Sequence, residues 1–327
     1  MAEESFDDIQ FQLIERRKKL EDSITSSKNN SQLINLLKEV DSALERMDTG
    51  TYGLCEVCHE PIERERLLVD PLITFCLDHL NKSQQKSLER DLELAAQIQR
   101  AMLPKNNINL KGFEISYYYS PAGLVSGDYC DVVIKENNDE ELVFIVGDVT
   151  GKGIAASMLM THMHAMFHSL IELNLPLDEM MYRANRLFCE SSPYTHFVTM
   201  VCGKLKKGGL VELSNAGHCL PVLIKRDGVL NMDSTGLPLG IFCSSEYRVE
   251  EFTLAPGESL FIYTDGLSEA SDGEDEYGTE RINHIASMNF YSTPQKLIRA
   301  YLEDLKLFTK EKPQHDDLTF LALQRLE

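Results

Sequence analysis

Basic residues are scarce in this chain: 32 Lys and Arg stand against 52 Asp and Glu, a formal net charge of -20 over 327 residues. No Lys/Arg run of the kind that tracks phosphates occurs, and a polyanion would be repelled, so nucleic acid is not an expected ligand. Long apolar runs are missing too. The longest fall far short of the roughly 20 residues that span a bilayer, and the acidic N-terminus resembles no signal peptide. The expectation is a cytoplasmic protein with no membrane partner. Eight cysteines do not make a disulfide framework, and five of them (Cys130, Cys189, Cys202, Cys219 and Cys243) are scattered and read as small buried apolar residues. What the chain does have is 43% hydrophobic residues, ample for buried cores, and a length that suggests two or three domains.

It also has aspartates in tight, glycine-rich or strand-ending contexts. They stand in Ser126-Gly127-Asp128, in Gly147-Asp148-Val149-Thr150-Gly151-Lys152-Gly153, in Tyr263-Thr264-Asp265-Gly266 and in Asp316-Asp317-Leu318-Thr319. The apolar run Leu142 to Val146 reads as a buried strand leading to Asp148. Phe261-Ile262-Tyr263 leads to Asp265 in the same way, and the run from Leu318 to Leu323 follows Asp316 as the last strand. Glycines at 151, 153 and 266 let the backbone turn sharply beside a ligand. Carboxylate oxygens suit magnesium or manganese, and four carboxylates converging from strand ends can hold two such ions. Each string alone is weak, because Asp-Gly is also an ordinary turn. Their joint occurrence points to metal-assisted phosphoryl chemistry.

The strings SGDYCD (126–131), VGDVTGKGIAASMLM (146–160), NAGHCLP (215–221), TGLPLGI (235–241), YTDGLSEA (263–270) and HDDLT (315–319) resemble the PPM, or protein phosphatase 2C-like, metal-dependent Ser/Thr phosphatases. The bacterial SpoIIE/RsbU-like branch matches better, over about residues 110–325. The resemblance implies an α+β fold, an α/β/β/α sandwich of two antiparallel sheets flanked by helices, with the metals in a cleft at one end. It implies two manganese or magnesium ions, with Asp148 bridging, the Val149 carbonyl and Asp128 on one side, and Asp265 and Asp316 on the other. Asp131 and Asp317 would serve as outer or third-metal ligands. A cation-activated water would attack phosphorus, so no catalytic cysteine is needed. The chain departs from the branch at Ser126, Cys130 and Lys152, and no arginine lies in the segment just before Asp128 to grip phosphate. Asn215 and His218 read as readily as a hydrogen-bonded turn as a catalytic pair.

Nearer the N-terminus, Cys55-x2-Cys58 and Cys76-x2-His79 are two ligand pairs 17 residues apart, a spacing that fits one structural zinc. His59 is a rival fourth ligand, but beside Cys58 it would strain the knuckle, and His79 is preferred. The text from Ala43 to Pro71 resembles the DksA/TraR-type zinc finger, with His79 where the fourth cysteine usually lies. Members of that family bind RNA polymerase through acids at the tip of a helical hairpin. The tip here, about Ser26 to Ser31, has none.

Apolar residues at helical spacing predict helices over 6–26 and 32–47, a hairpin, and a third over 83–103 ended by Pro104. The third resembles the linker that precedes phosphatase domains of the branch and often dimerises them. The expected organisation is a hairpin (1–50), a zinc finger (51–82), a linker helix (83–104) and a phosphatase domain (110–327). His164 and His168, on a helix expected from Gly153 to Leu173, could face one metal, but no carboxylate or cysteine accompanies them nearby, and they read as solvent-facing or core histidines. The leading reading is a protein serine/threonine phosphatase regulated or recruited through its finger, its substrate a phosphoprotein such as an anti-sigma-factor antagonist. The alternative is a transcription-associated adaptor that binds RNA polymerase through the finger and carries a non-catalytic phosphatase fold.

Overall fold

The computed structural model describes residues 6–26, 31–76, 79, 82–105, 108, 110–135, 141–310 and 312–326. The chain divides into two compact units, Met1–Asp91 and Leu92–Glu327, with the division falling inside one helix, α4 (Lys82–Met102).

In the first unit α1 (Asp7–Ser26) and α2 (Ser31–Asp48) pack as the expected hairpin. Arg17 on α1 pairs with Asp41 on α2 at 2.9 Å. Ile9, Leu13, Leu20, Val40 and Ala43 form its seam, and the same cluster takes in Tyr52, Cys55, Ile62, Leu67 and Cys76 from the segment that follows. The finger therefore has an apolar core as well as ligands. A short helix, α3 (Arg64–Val69), lies between the two cysteine pairs. The middle of the hairpin tip, residues 27–30, lies outside the described residues.

The second unit is the expected four-layered sandwich. One sheet has the order β1-β10-β9-β6-β7, built from β1 (Phe113–Ser120), β6 (Val222–Lys225), β7 (Gly228–Asn231), β9 (Ser259–Tyr263) and β10 (Leu318–Arg325). The other has the order β2-β3-β4-β5-β8, from β2 (Asp128–Ile134), β3 (Glu141–Val149), β4 (Val198–Lys206), β5 (Leu210–Ala216) and β8 (Glu250–Thr253). All pairings are antiparallel. Helices α5 (Gly153–Ile171) and α6 (Leu177–Ser191) cover the second sheet; after the single turn α7 (Asp265–Ser268), α8 (Gly278–Met288) and α9 (Pro294–Phe308) cover the first.

Side-chain alternation along each strand sorts residues between two interfaces. On β3, Leu142, Phe144 and Val146 enter the space between the sheets, whereas Val143, Ile145 and Val149 face α5 and α6. On β9, Leu260 and Ile262 point between the sheets and Phe261 and Tyr263 toward the helices. On β10 the same split puts Leu321 and Leu323 inside, with Phe320 and Ala322 under the helices. Strands buried on both faces read as continuous apolar runs, which is why LVFIV and LTFLAL were legible as strands.

One reading is corrected. Cys189 on α6 and Cys243 in the loop before β8 are not isolated apolar residues; they form a disulfide, their Cα atoms 5.7 Å apart. Cys130 and Cys202 are buried, as expected, and Cys219 is half-buried.

Candidate active site

The parity that fills the inter-sheet core also selects what stands at its end. Asp148 is two residues beyond Val146 on β3, Asp128 is two before Cys130 on β2, and both pairs share the inter-sheet face. Asp128 and Asp148 are direct cross-strand partners. Thr264 and Thr319 continue the inward parity of β9 and β10. Four side chains from four strands thus meet at one end of the sandwich.

Asp128 is buried, and its Oδ2 accepts hydrogen bonds from the Thr264 hydroxyl at 2.9 Å and the Thr319 hydroxyl at 2.5 Å. Thr264 Oγ1 in turn accepts from the Thr319 amide at 3.0 Å. Burial, then the neighbouring Asp148, push the Asp128 carboxyl well above its usual value. Asp148 is pushed up to about 8 by burial, then by Asp265, Asp316 and Asp317. Asp265 rises to about 6 for the same kind of reason, burial first and Asp316 next. Like charges facing one another in a partly dry cleft are destabilising unless cations neutralise them. This donor set fits hard divalent ions. Among the described residues, no three of these carboxylates bring ligand atoms within 4.8 Å of one another.

Glycines permit the close approach. A Cβ on Gly127 would stand 2.9 Å from the Val149 carbonyl and 3.4 Å from Asp148 Oδ1, and one on Gly266 would collide with the Asp317 carbonyl. Asp316 Oδ2 pairs with Lys152 Nζ at 3.0 Å, and Lys152 also donates to the His315 carbonyl. Lys152 is the exposed cation beside the acids, where the family pattern frequently has histidine. Cys219 faces the same group. Burial, then Asp265, push its thiol up to about 12, so it is no thiolate nucleophile.

Of the two expected outer or third-metal ligands, Asp317 stays beside the acids and Asp131 stands elsewhere. Asp317 spends both oxygens on backbone amides, Oδ1 on Ala122 at 2.8 Å and Oδ2 on Gly127 at 2.9 Å. It clamps the loop that carries Asp128. Asp131 lies on the opposite face of β2, because three residues separate it from Asp128 and the side-chain period is two. There its Oδ2 accepts from His168 Nε2 at 2.7 Å, which corrects the reading that no carboxylate accompanies the α5 histidines.

Sequence reasoning missed Thr264, Thr319 and Gln99. The first two adjoin the aspartate motifs, so their signal was adjacency. Gln99, buried on α4, donates from Nε2 to the Ser126 carbonyl at 2.8 Å and accepts at Oε1 from the Ser126 amide at 3.0 Å. Only the fold reveals it. Asn215 and His218 form the hydrogen-bonded turn: Asn215 Oδ1 accepts from the His218 amide at 2.8 Å and its Nδ2 donates to the His218 carbonyl. The His218 ring meets the hydroxyl of Thr199, the β4 partner of Asp148.

In the first unit, ligand atoms of Cys55, Cys58, Cys76 and His79 lie within 4.8 Å of one another, and His59 is not among them. Cys58 Sγ is 3.8 Å from Cys76 Sγ, which is 3.1 Å from His79 Nδ1. Burial alone would raise the Cys55 thiol, but the amides of Cys58, Cys76 and Val57 outweigh it and bring it down to about 6, toward the thiolate that binds metal.

Comparison with known proteins agrees with this geometry. The family model described as "Stage II sporulation protein E (SpoIIE)" matches residues 138–326, more than half of the chain, and the chain belongs to that family. The model "Prokaryotic dksA/traR C4-type zinc finger" matches residues 50–78, which hold the three cysteines, with His79 just beyond. Protein IcfG of Synechocystis sp. is 26% identical over 269 residues, 72% of this chain, which spans only 41% of IcfG. Phosphoserine phosphatase RsbU of Bacillus subtilis is 23% identical over 74% of this chain and 72% of its own length. In structure, the SiaA-PP2C domain of Pseudomonas aeruginosa superposes with a TM-score of 0.63 at 20% identity, covering 74% of this chain and 98% of the domain. That likeness shows the PP2C-type fold. Among the described residues, no helix is long and apolar enough to cross a membrane.

Proposed function

We propose that this protein is a metal-dependent serine/threonine phosphatase that hydrolyses phosphoserine or phosphothreonine in a protein substrate during bacterial signalling. The observation that carries this reading is the convergence of Asp128, Asp148, Asp265 and Asp316, from separate strand ends, on one end of the sandwich in a chain of the SpoIIE family. Two manganese or magnesium ions held there would supply Lewis acidity, lowering the pKa of a bound water and neutralising phosphate charge.

The chain's own residues do the rest. Asp148 occupies the centre, with the Val149 carbonyl and Asp128 on one side and Asp265 and Asp316 on the other. Thr264 and Thr319 fix one oxygen of Asp128, which leaves the other for a cation. Asp317 and Gln99 hold the 122–127 loop from two directions. Lys152, which pairs with Asp316, would be released toward a phosphate if cations took over that carboxylate, and could then take the part for which an arginine is lacking. Cys55, Cys58, Cys76 and His79 hold one structural zinc. The finger, about residues 51–82, and the linker helix, 83–104, serve regulation or recruitment, with the linker as the dimerising element. Likeness to a relative named phosphoserine phosphatase supports a phosphoprotein substrate; that it is a signalling protein such as an anti-sigma-factor antagonist, met in the cytoplasm, is our extension of the resemblance to the branch.

The test is manganese-dependent hydrolysis of p-nitrophenyl phosphate and of a phosphothreonine peptide by wild type, Asp148→Ala and Asp265→Ala. Activity that needs the metal and is lost in both variants supports the proposal. Equal rates in all three, with residues 105–327 alone behaving likewise, would remove it.

A further inference from the structure

On the face of β2 turned away from the aspartate cleft, three metal-ligating side chains converge. Asp131 comes from β2, and His164 and His168 from α5; their ligand atoms lie within 4.8 Å of one another. His164 and His168 are four residues apart and so project from one helix face, the arrangement by which paired histidines bind a single ion. Their rings are 4.2 Å apart, centroid to centroid. His168 Nε2 is 2.7 Å from Asp131 Oδ2, and His164 Nδ1 is 3.4 Å from the same oxygen.

As a purely hydrogen-bonded cluster this arrangement is incomplete. Asp131 Oδ2 already accepts from the Tyr129 hydroxyl at 3.1 Å as well as from His168. His164 Nδ1, buried and aimed at that crowded oxygen, makes no hydrogen bond. A buried ring nitrogen whose single polar neighbour is an oxygen 3.4 Å away, already shared by two closer donors, is under-satisfied, and that costs free energy. A cation between the three groups would take a lone pair from each.

We propose that Asp131, His164 and His168 form a separate metal site, for a divalent transition-metal ion of the zinc, cobalt or nickel class, which ties β2 to α5. Two imidazoles and one carboxylate select that class over magnesium or calcium, whose sites are all oxygen. The supporting shell is in place. Tyr129, wholly buried, donates to the carboxylate from below, and the Val132 amide holds Asp131 Oδ1 at 2.8 Å. Carboxylates that orient metal ligands are held in this way. His168 is partly exposed and the site opens on a cleft of about 1680 Å³ that Glu172 and Lys204 also line, so an ion can enter and water can complete its coordination.

The site differs in kind from the finger, which has thiolates, and from the aspartate cleft, which has oxygens alone. Its two elements matter to the rest of the molecule: β2 carries Asp128, and α5 begins four residues after Val149. An ion here would stiffen the strand and helix that flank the aspartates without touching them.

The experiment uses the full chain, equilibrated with excess magnesium and a modest excess of zinc, desalted, and analysed for zinc per chain by mass spectrometry. Wild type is expected to hold one zinc equivalent more than His164→Ala or His168→Ala. His162→Ala, on the same helix but facing Ser191, is the control and is expected to match wild type. His168 is exposed enough for its variant to fold, which circular dichroism checks. Tyr129→Phe keeps the ligands and loses the phenol; it is expected to weaken zinc binding about tenfold. Equal zinc in wild type, His164→Ala and His168→Ala would overturn the proposal, whatever the phosphatase assays show.

Discussion

Asp128 commits one oxygen to Thr264 and Thr319, so at the scale of single residues its chemistry is set by two hydroxyls. Replacing either with valine keeps the shape and removes a donor to a buried carboxylate. Thr319→Val is expected to lower kcat by roughly tenfold or more and to raise the manganese concentration needed for half-maximal rate, because hydrogen bonds to a charged group contribute about 1.5 to 3 kcal/mol. A steady-state titration with manganese reads both, and an unchanged profile would remove Thr319 from the site. His218 has a different kind of consequence. Burial lowers its ring to about 4, so it is neutral in the folded protein, whereas an exposed histidine titrates near 6.5. The unfolded chain therefore takes up a proton first as pH falls. The stability in question is complete above about pH 6.5 and is lost progressively as pH drops toward 4, by at most about 3 kcal/mol. Urea unfolding at several pH values checks this, and His218→Gln should flatten the slope between those limits. A slope that persists in the variant would mean that other groups carry it.

Loops and helices, not strands alone, determine whether the aspartates meet. The 122–127 loop is held by the Asp317 carboxylate and by a two-way amide contact with Gln99 on α4. Asp317→Asn exchanges an acceptor for a donor at one of two backbone amides, and Gln99→Ala removes the other anchor. Each is expected to reduce activity several-fold; Asp317→Asn should leave the unfolding midpoint nearly unchanged, whereas Gln99→Ala, which leaves the buried Ser126 amide and carbonyl unpaired, should also lower it by a few degrees. Phosphatase rates measured beside thermal melts distinguish this from plain instability. Gly127→Ala should be the more damaging, because its Cβ has only the Val149 carbonyl and Ala156 to move into. At this scale the limits of reading a sequence are physical. Hydrophobic runs revealed β3, β9 and β10, and motifs revealed their acids. Gln99 was invisible because its partner is 27 residues away and is a backbone group. Asp131 was assigned to the wrong face by proximity in sequence, although the two-residue period of a strand places it opposite Asp128. Its histidine partners were discounted for want of a carboxylate, which β2 supplies from more than 30 residues earlier.

Across the whole molecule, the hairpin and finger have a core of their own, and the sandwich has three clusters that share no residue with it. Removing zinc with a chelator is expected to abolish one unfolding transition, that of the N-terminal unit, while a second, calorimetrically distinct one survives. A single transition that moves as a whole on chelation would show that the two units unfold together. The division into a zinc-binding part and a phosphatase part was legible from ligand spacing and motif order. The join was not, because one continuous helix carries the boundary and nothing in its apolar pattern marks it. Strand order has a further consequence. β1 pairs along its whole length with β10, from Phe113 opposite Arg325 to Ser120 opposite Leu318. On the ribosome, β1 emerges roughly two hundred residues before the strand it needs, a long wait for a non-local pairing. Until β10 has been made, neither Asp316 nor Thr319 exists, and the central space of that sheet stays open. On the proposed function, a nascent chain therefore stays inactive until β10 has closed this sheet.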